Sequence, residues 1–178
     1  MSEQLKKAIG VLTATVKENP QAAKAVFRAT TVSSIEGFTT TSRVRGFHLL
    51  LDEPKDLGGN DTGPNPVEAV LAALGSCQAI VYRAYAAALG LRIDRVEVET
   101  KGHLDLHGFL GLGEVRAGFD RVEFTTRIAS PEPEGRIREL ARLVEEHCPV
   151  LDTLRSTVEV TGTVEVSPAV SGSDRNAA

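Results

Sequence analysis

No block of lysine and arginine, no bilayer-length apolar run and no internal repeat occurs in this chain, and each absence removes a class of function. With 20 basic residues against 24 acidic ones, a net charge of −4 and a pI of about 5.6, the chain is unsuited to electrostatic binding of nucleic acid or an anionic membrane. The first residues, MSEQLKKAIGVLTATVKENP, hold a lysine pair but no long apolar core and no small-residue cleavage site, so no secretory signal is expected. The longest uncharged stretch, 69–82, is 14 residues, short of the roughly 20 that a bilayer span needs. It reads as a buried helix, and the expected compartment is the cytoplasm. Aromatic residues are scarce, six Phe and two Tyr with no Trp, which leaves one chain little bulk to wrap such a helix. Cysteine is scarcer still: Cys77 and Cys148 are the only two. In a reducing compartment structural disulfides are rare, so a thiol pair there is redox-active, metal-binding or inert. No C-x-x-C occurs, and His103 and His107 fall in a Gly-rich stretch that does not read as helical. A zinc site of two His and two Cys fits the count but has no motif behind it.

What is present reads as one α+β domain. Residues 2–18 form an amphipathic helix with Leu5, Ile9, Leu12 and Val16 at helical spacing, ended by Asn19-Pro20. Strands are predicted over 25–32 and 38–52 with Glu36-Gly37 as the turn, followed by a loop over 55–64. Asn65, Pro66 and Glu68 then start a long helix as N-cap, first residue and third residue; it should run to Leu89 with Gly90 as C-cap. It is apolar on nearly all sides, so something must surround it. Further strands are predicted over 92–102, 119–129 and 157–166, with a second helix over 134–147 and an uncertain Gly-rich stretch between the first two. The divisions are an N-terminal helix (1–20), a domain (21–167) and a disordered tail (168–178).

A cysteine in an apolar helix is by default a small hydrophobe. Cys148 is more suggestive. It continues the Ile137, Leu140, Val144 stripe by one step of four, and it precedes Pro149 and a segment able to start a helical turn. A helix N-terminus lowers a thiol's pKa. Thiol chemistry also wants a cation. Arg43 and Arg45, two apart on a predicted strand, would share one face, able to reach a thiolate or to stay solvated.

The run DEPKDLGGNDTGPNPVEAVLAALGSC, the later GHLDLHGFLGL with Gly118-Phe119, and HCPVLDTL together resemble the OsmC/Ohr family, from roughly residue 27 to 166. Those are the osmotically induced protein C and organic hydroperoxide resistance proteins, and the general OsmC-like branch is the closer. The resemblance implies an OsmC-like fold: two long helices, one central and buried, packed on curved antiparallel sheets, in an intertwined homodimer with sites near the interface. It places the reactive cysteine on Cys77 and the resolving one on Cys148. The implied activity is thiol-dependent reduction of organic hydroperoxides, with an external dithiol or lipoylated protein as reductant and no cofactor.

The hydroperoxide resistance branch has a glutamate ten residues before its cysteine, where this chain has Val67. Glu68 is the nearest carboxylate, and at nine residues it falls on the opposite side of the helix from Cys77. That branch's arginine is also unmatched, so Arg43, Arg45 or an arginine of a second subunit would stand in. A different reading keeps the fold and makes the cysteines non-catalytic, lining a pocket for a small apolar ligand or merely packing in a stress protein.

Overall fold

The computed structural model describes residues 3–168. In chain order the elements are α1 (Glu3–Glu18), β1 (Thr30–Ser33), β2 (Thr40–Val44), β3 (Phe47–Leu51), α2 (Pro66–Leu89), β4 (Arg95–His103), α3 (Leu106–Phe109), β5 (Arg121–Ala129), α4 (Glu134–His147) and α5 (Pro149–Arg155), with single 3-10 turns at Pro20–Ala23 and Lys55–Leu57. Two antiparallel sheets result, β1-β2-β3 and β4-β5. The α+β reading holds. The expected tail, apart from Pro168, lies outside the described residues.

α2 organises the domain. Asn65 Oδ1 accepts from the Glu68 amide at 2.8 Å and Glu68 Oε2 accepts from the Asn65 amide at 2.9 Å, a reciprocal capping box. Gly90 ends the helix in the left-handed region at φ 69°. Leu74, Gln78, Tyr82 and Ala86, at steps of four, are its buried stripe. Along it, Tyr82 and Ala86 join Leu91, Ile93, Leu140 and Val144 in the larger core, between α2, α4 and the inner face of β5. Gln78, 1% exposed, ties helix to sheet by accepting from Thr126 Oγ1 at 3.4 Å. By length and composition α2 could also cross a membrane. The packing of this stripe against β4 and α4 is that of a domain's central helix.

Burial of α2 differs from the expectation of a helix surrounded on all sides. One stripe is covered, whereas Ile80 is 67% exposed and Val67 and Val70 are half-open. A single chain supplies only one packing layer to it.

The stretch 38–52 is two strands rather than one. Val44 pairs with Phe47 across a two-residue turn, and Arg45 there takes a left-handed φ of 57°. β3 then runs into Asp52, whose buried carboxylate accepts from the amides of Glu53, Asn60 and Thr62 and from Thr62 Oγ1 at 2.8–3.2 Å. Burial would raise this carboxyl's pKa, but the Thr62 hydroxyl and the three amides hold it below the usual range. The loop leading to α2 is thereby stapled to the sheet.

The stretch 25–32 is strand only from Thr30. The Gly-rich stretch contains one helical turn, α3, started by Asp105, whose Oδ1 accepts from the His107 amide at 2.9 Å. The strand expected over 157–166 is absent. Its alternating valines stand in solvent, Val160 at 87% and Val166 at 92% exposure. A strand needs a ladder partner, and within the described chain none pairs with this segment.

Candidate active site

Cys77 projects from the middle of α2, and Cys148 is the joint between α4 and α5, with Pro149 at the first position of α5. The step of four from Leu140 through Val144 does reach Cys148, and all three are fully buried. α4 and α2 pack so that these segments meet. Leu74, Cys148 and Leu151 form a small core of their own, with Cys77, Val122, Phe124 and Val150 packed against it. About two turns along α2 from Cys77, Tyr85 stacks on His147 with ring centroids 5.5 Å apart and planes 10° from parallel, anchoring the end of α4 to α2.

The two cysteines, 71 positions apart in sequence, are thus neighbours, both as free thiols. Cys77 packs against the cluster that holds Cys148. Their environments differ. Cys77 is half-buried, whereas Cys148 is 0% exposed. Burial pushes the Cys148 thiol above the ordinary range; the amides of Leu151 and Val150 pull it down, and its neighbour Cys77 raises it further. The expected lowering by the start of α5 is real in sign but loses to desolvation. Burial thus favours the neutral Cys148 thiol, and Cys77 is the less buried of the two residues.

A cavity of about 260 Å³ shares Leu74, Val122, Phe124 and Leu151 with the thiol core, and neither cysteine is among its lining residues. Arg116, Arg121 and Arg155 line its wall together with Asp120. Sequence reasoning missed these arginines. Only Arg155 carried a signal, being seven residues beyond Cys148, close to two helical turns.

The arginines that were expected lie elsewhere. Arg43 is exposed on β2 and pairs in register with Thr30 and His48. Arg45 sits in the turn with its guanidinium 5.1 Å from the Phe47 ring centroid. The left-handed residue ends the alternation, so the two do not share a face. Neither belongs to the thiol core or its cavity. Glu68 is occupied by the capping box and is likewise outside that core. The histidines are dispersed: His103 contacts Glu123 at 2.9 Å, His107 contacts Asp105 at 2.6 Å, His147 is the stacking residue and His48 is on β3.

A family model described as OsmC-like protein matches residues 58–162, a span holding both cysteines, α2 and the cavity wall. A hydroperoxide reductase of Mycoplasma genitalium is 30% identical over 115 residues, covering 62% of this chain and 74% of the relative. An uncharacterised protein of Haloferax volcanii is 28% identical over 136 residues, covering 76% and 92%. Among solved structures, an OsmC-like protein from Mycoplasma pneumoniae superposes with a TM-score of 0.64 at 23% identity, covering 74% of this chain and 89% of its own. That likeness is one of fold. Since the family model spans more than half of the residues, the chain belongs to the OsmC-like protein family.

Proposed function

We propose that this protein is a thiol-dependent peroxide reductase that converts organic hydroperoxides to alcohols. One observation carries the reading: the chain's only two cysteines are brought together in one small core, one half-buried and one fully buried. The name of the Mycoplasma genitalium relative supports it.

The asymmetry supports one order of events. The Cys77 thiolate attacks the distal oxygen of ROOH; the O–O bond breaks, RO⁻ takes a proton and leaves as alcohol, and Cys77 becomes a sulfenic acid. Cys148, buried against it, then attacks that sulfur. Its thiol proton and the sulfenic hydroxyl leave as water, and a Cys77–Cys148 disulfide forms. An external dithiol, free or on a lipoylated protein, returns both thiols by exchange and is itself oxidised to a disulfide. Leu74, Val122, Phe124 and Leu151 give the organic part of the peroxide an apolar floor.

The active form is a homodimer in the cytoplasm. The open side of α2, the exposed apolar residues of the first sheet and the unpaired valines of 157–166 are the surfaces a second copy would cover. Arg43 or Arg45, remote from Cys77 in its own chain, would act on the thiolate only from that second copy. The reading is tested by whether an alkyl hydroperoxide consumes both thiols in a Cys77-dependent way. Thiols that survive it would leave the cavity as a binding site for a small apolar ligand.

A further inference from the structure

The cavity beside the thiol core carries a charge that reduction of an uncharged peroxide does not use. Three guanidinium groups stand on its wall against the single carboxylate of Asp120. Two of them are engaged: Arg155 donates to Glu145 at 3.1 Å, and Arg121 lies 3.6 Å from Glu123 and 3.2 Å from His103 Nε2. Arg116 has no ion pair among the described residues.

Its position is nevertheless fixed by glycine. Gly108 approaches the Arg116 backbone so closely that a Cβ there would lie 2.2 Å from the Arg116 carbonyl oxygen. The Arg116 side chain in turn runs over Gly118, with Nε 3.6 Å and an Nη 3.8 Å from where a Cβ would stand. The Gly-rich stretch is thus folded back on itself so that one uncompensated guanidinium faces the cavity, with two more cations beside it. A cleft lined mainly by one sign of charge concentrates the opposite sign. The planar guanidinium fork matches a carboxylate, with two parallel N–H donors.

We propose that Arg116 is a specificity-determining residue, and that the cavity takes a compact organic hydroperoxide bearing a carboxylate. The acid group pairs with Arg116 at the wall, and the hydroperoxy end lies on the apolar floor of Leu74, Val122, Phe124 and Leu151, the residues that separate the cavity from the packed Cys77. The volume of about 260 Å³ sets the size, below the roughly 300–1,000 Å³ of pockets for drug-sized ligands. This inference rests on the peroxide reductase reading and adds the charge and size of the substrate. The covalent steps are unchanged.

The test separates binding from turnover. Calorimetric titration of the reduced full chain with ω-hydroxyhexanoic acid and with its methyl ester, both unreactive alcohols, is run on wild type, Arg116→Gln and Arg116→Lys. Turnover of the matching hydroperoxides is followed in parallel. Wild type should bind the acid about tenfold or more tightly than the ester, as a charge-assisted pair implies. Arg116→Gln should bring the acid down to the ester and leave the ester unchanged, and Arg116→Lys should recover part of the preference. Equal affinity for acid and ester in wild type, or equal loss of both in Arg116→Gln, would overturn the assignment. An acid preference in a protein that turns over neither hydroperoxide would sink the reductase reading alone. Turnover without an acid preference would sink this one alone.

Discussion

At the scale of single residues, the chemistry turns on how differently two identical side chains are housed. Cys77 is half-open on a helix flank, and Cys148 is sealed behind it with no exposed surface. A buried thiol resists ionisation because its thiolate would lose its hydration. The raised pKa of Cys148 also couples to stability. A group whose folded pKa lies above its unfolded value contributes stability that is complete below the unfolded pKa and is lost as pH rises through the folded one. The reduced protein should therefore lose stability through the alkaline thiol range, as forced ionisation of Cys148 disfavours the native state. Buried Tyr82, also raised by desolvation, extends the loss to higher pH. Chemical denaturation from neutral to alkaline pH checks this: Cys148→Ala should flatten the first part of the decline. An unchanged decline in that variant would mean that the thiol is not the group responsible.

At the scale of elements, α2 sets where Cys77 stands, and its start is held by two reciprocal hydrogen bonds. Asn65→Ala should cost about 1 kcal/mol of stability, while Asn65→Asp should keep most of it; urea unfolding with an unchanged m-value reads the difference. Loss of activity beyond that of stability would show that the cap also positions the cysteine. This capping box was legible in the sequence because its signals, Asn65, Pro66 and Glu68, are local. The step from Val144 to Cys148 was legible for the same reason, since helical period fixes which face a residue shares.

Local pattern failed where conformation was set from further away. Arg45 adopts a left-handed φ that arginine seldom takes, so the hairpin turn was hidden inside one long strand pattern and the shared face of Arg43 and Arg45 went with it. The cavity arginines were hidden by their context. Arg116 sits in a stretch with no hydrophobic period, placed by the close approaches of Gly108 and Gly118. Only the backbone path of the whole stretch reveals that it borders the cavity.

At the scale of the whole molecule, one chain leaves its apolar surface unfinished. α2 buries a single stripe, and the alternating valines of 157–166 have the pattern of a strand with no ladder in the described chain. The alternation could be read from the sequence, but it makes no strand, because no segment of the described residues forms a ladder with it. The proposed second copy would cover both. Sedimentation equilibrium should accordingly give a mass near twice 19.0 kDa, and ending the chain after Ser156 should abolish that species. A monodisperse monomer of the full chain would refute the homodimer.

The central claim, that Cys77 and Cys148 form a redox couple with Cys77 as the attacking sulfur, is tested most directly by counting thiols. The fully reduced protein is treated with one equivalent of an alkyl hydroperoxide, and free thiols are titrated in wild type, Cys77→Ser and Cys148→Ser. Wild type should lose both thiols and gain one intramolecular disulfide by mass spectrometry. Cys148→Ser should hold a trappable sulfenic acid on Cys77, and Cys77→Ser should keep its remaining thiol. Two intact thiols in wild type under excess hydroperoxide, or a sulfenic acid found first on Cys148, would contradict the account.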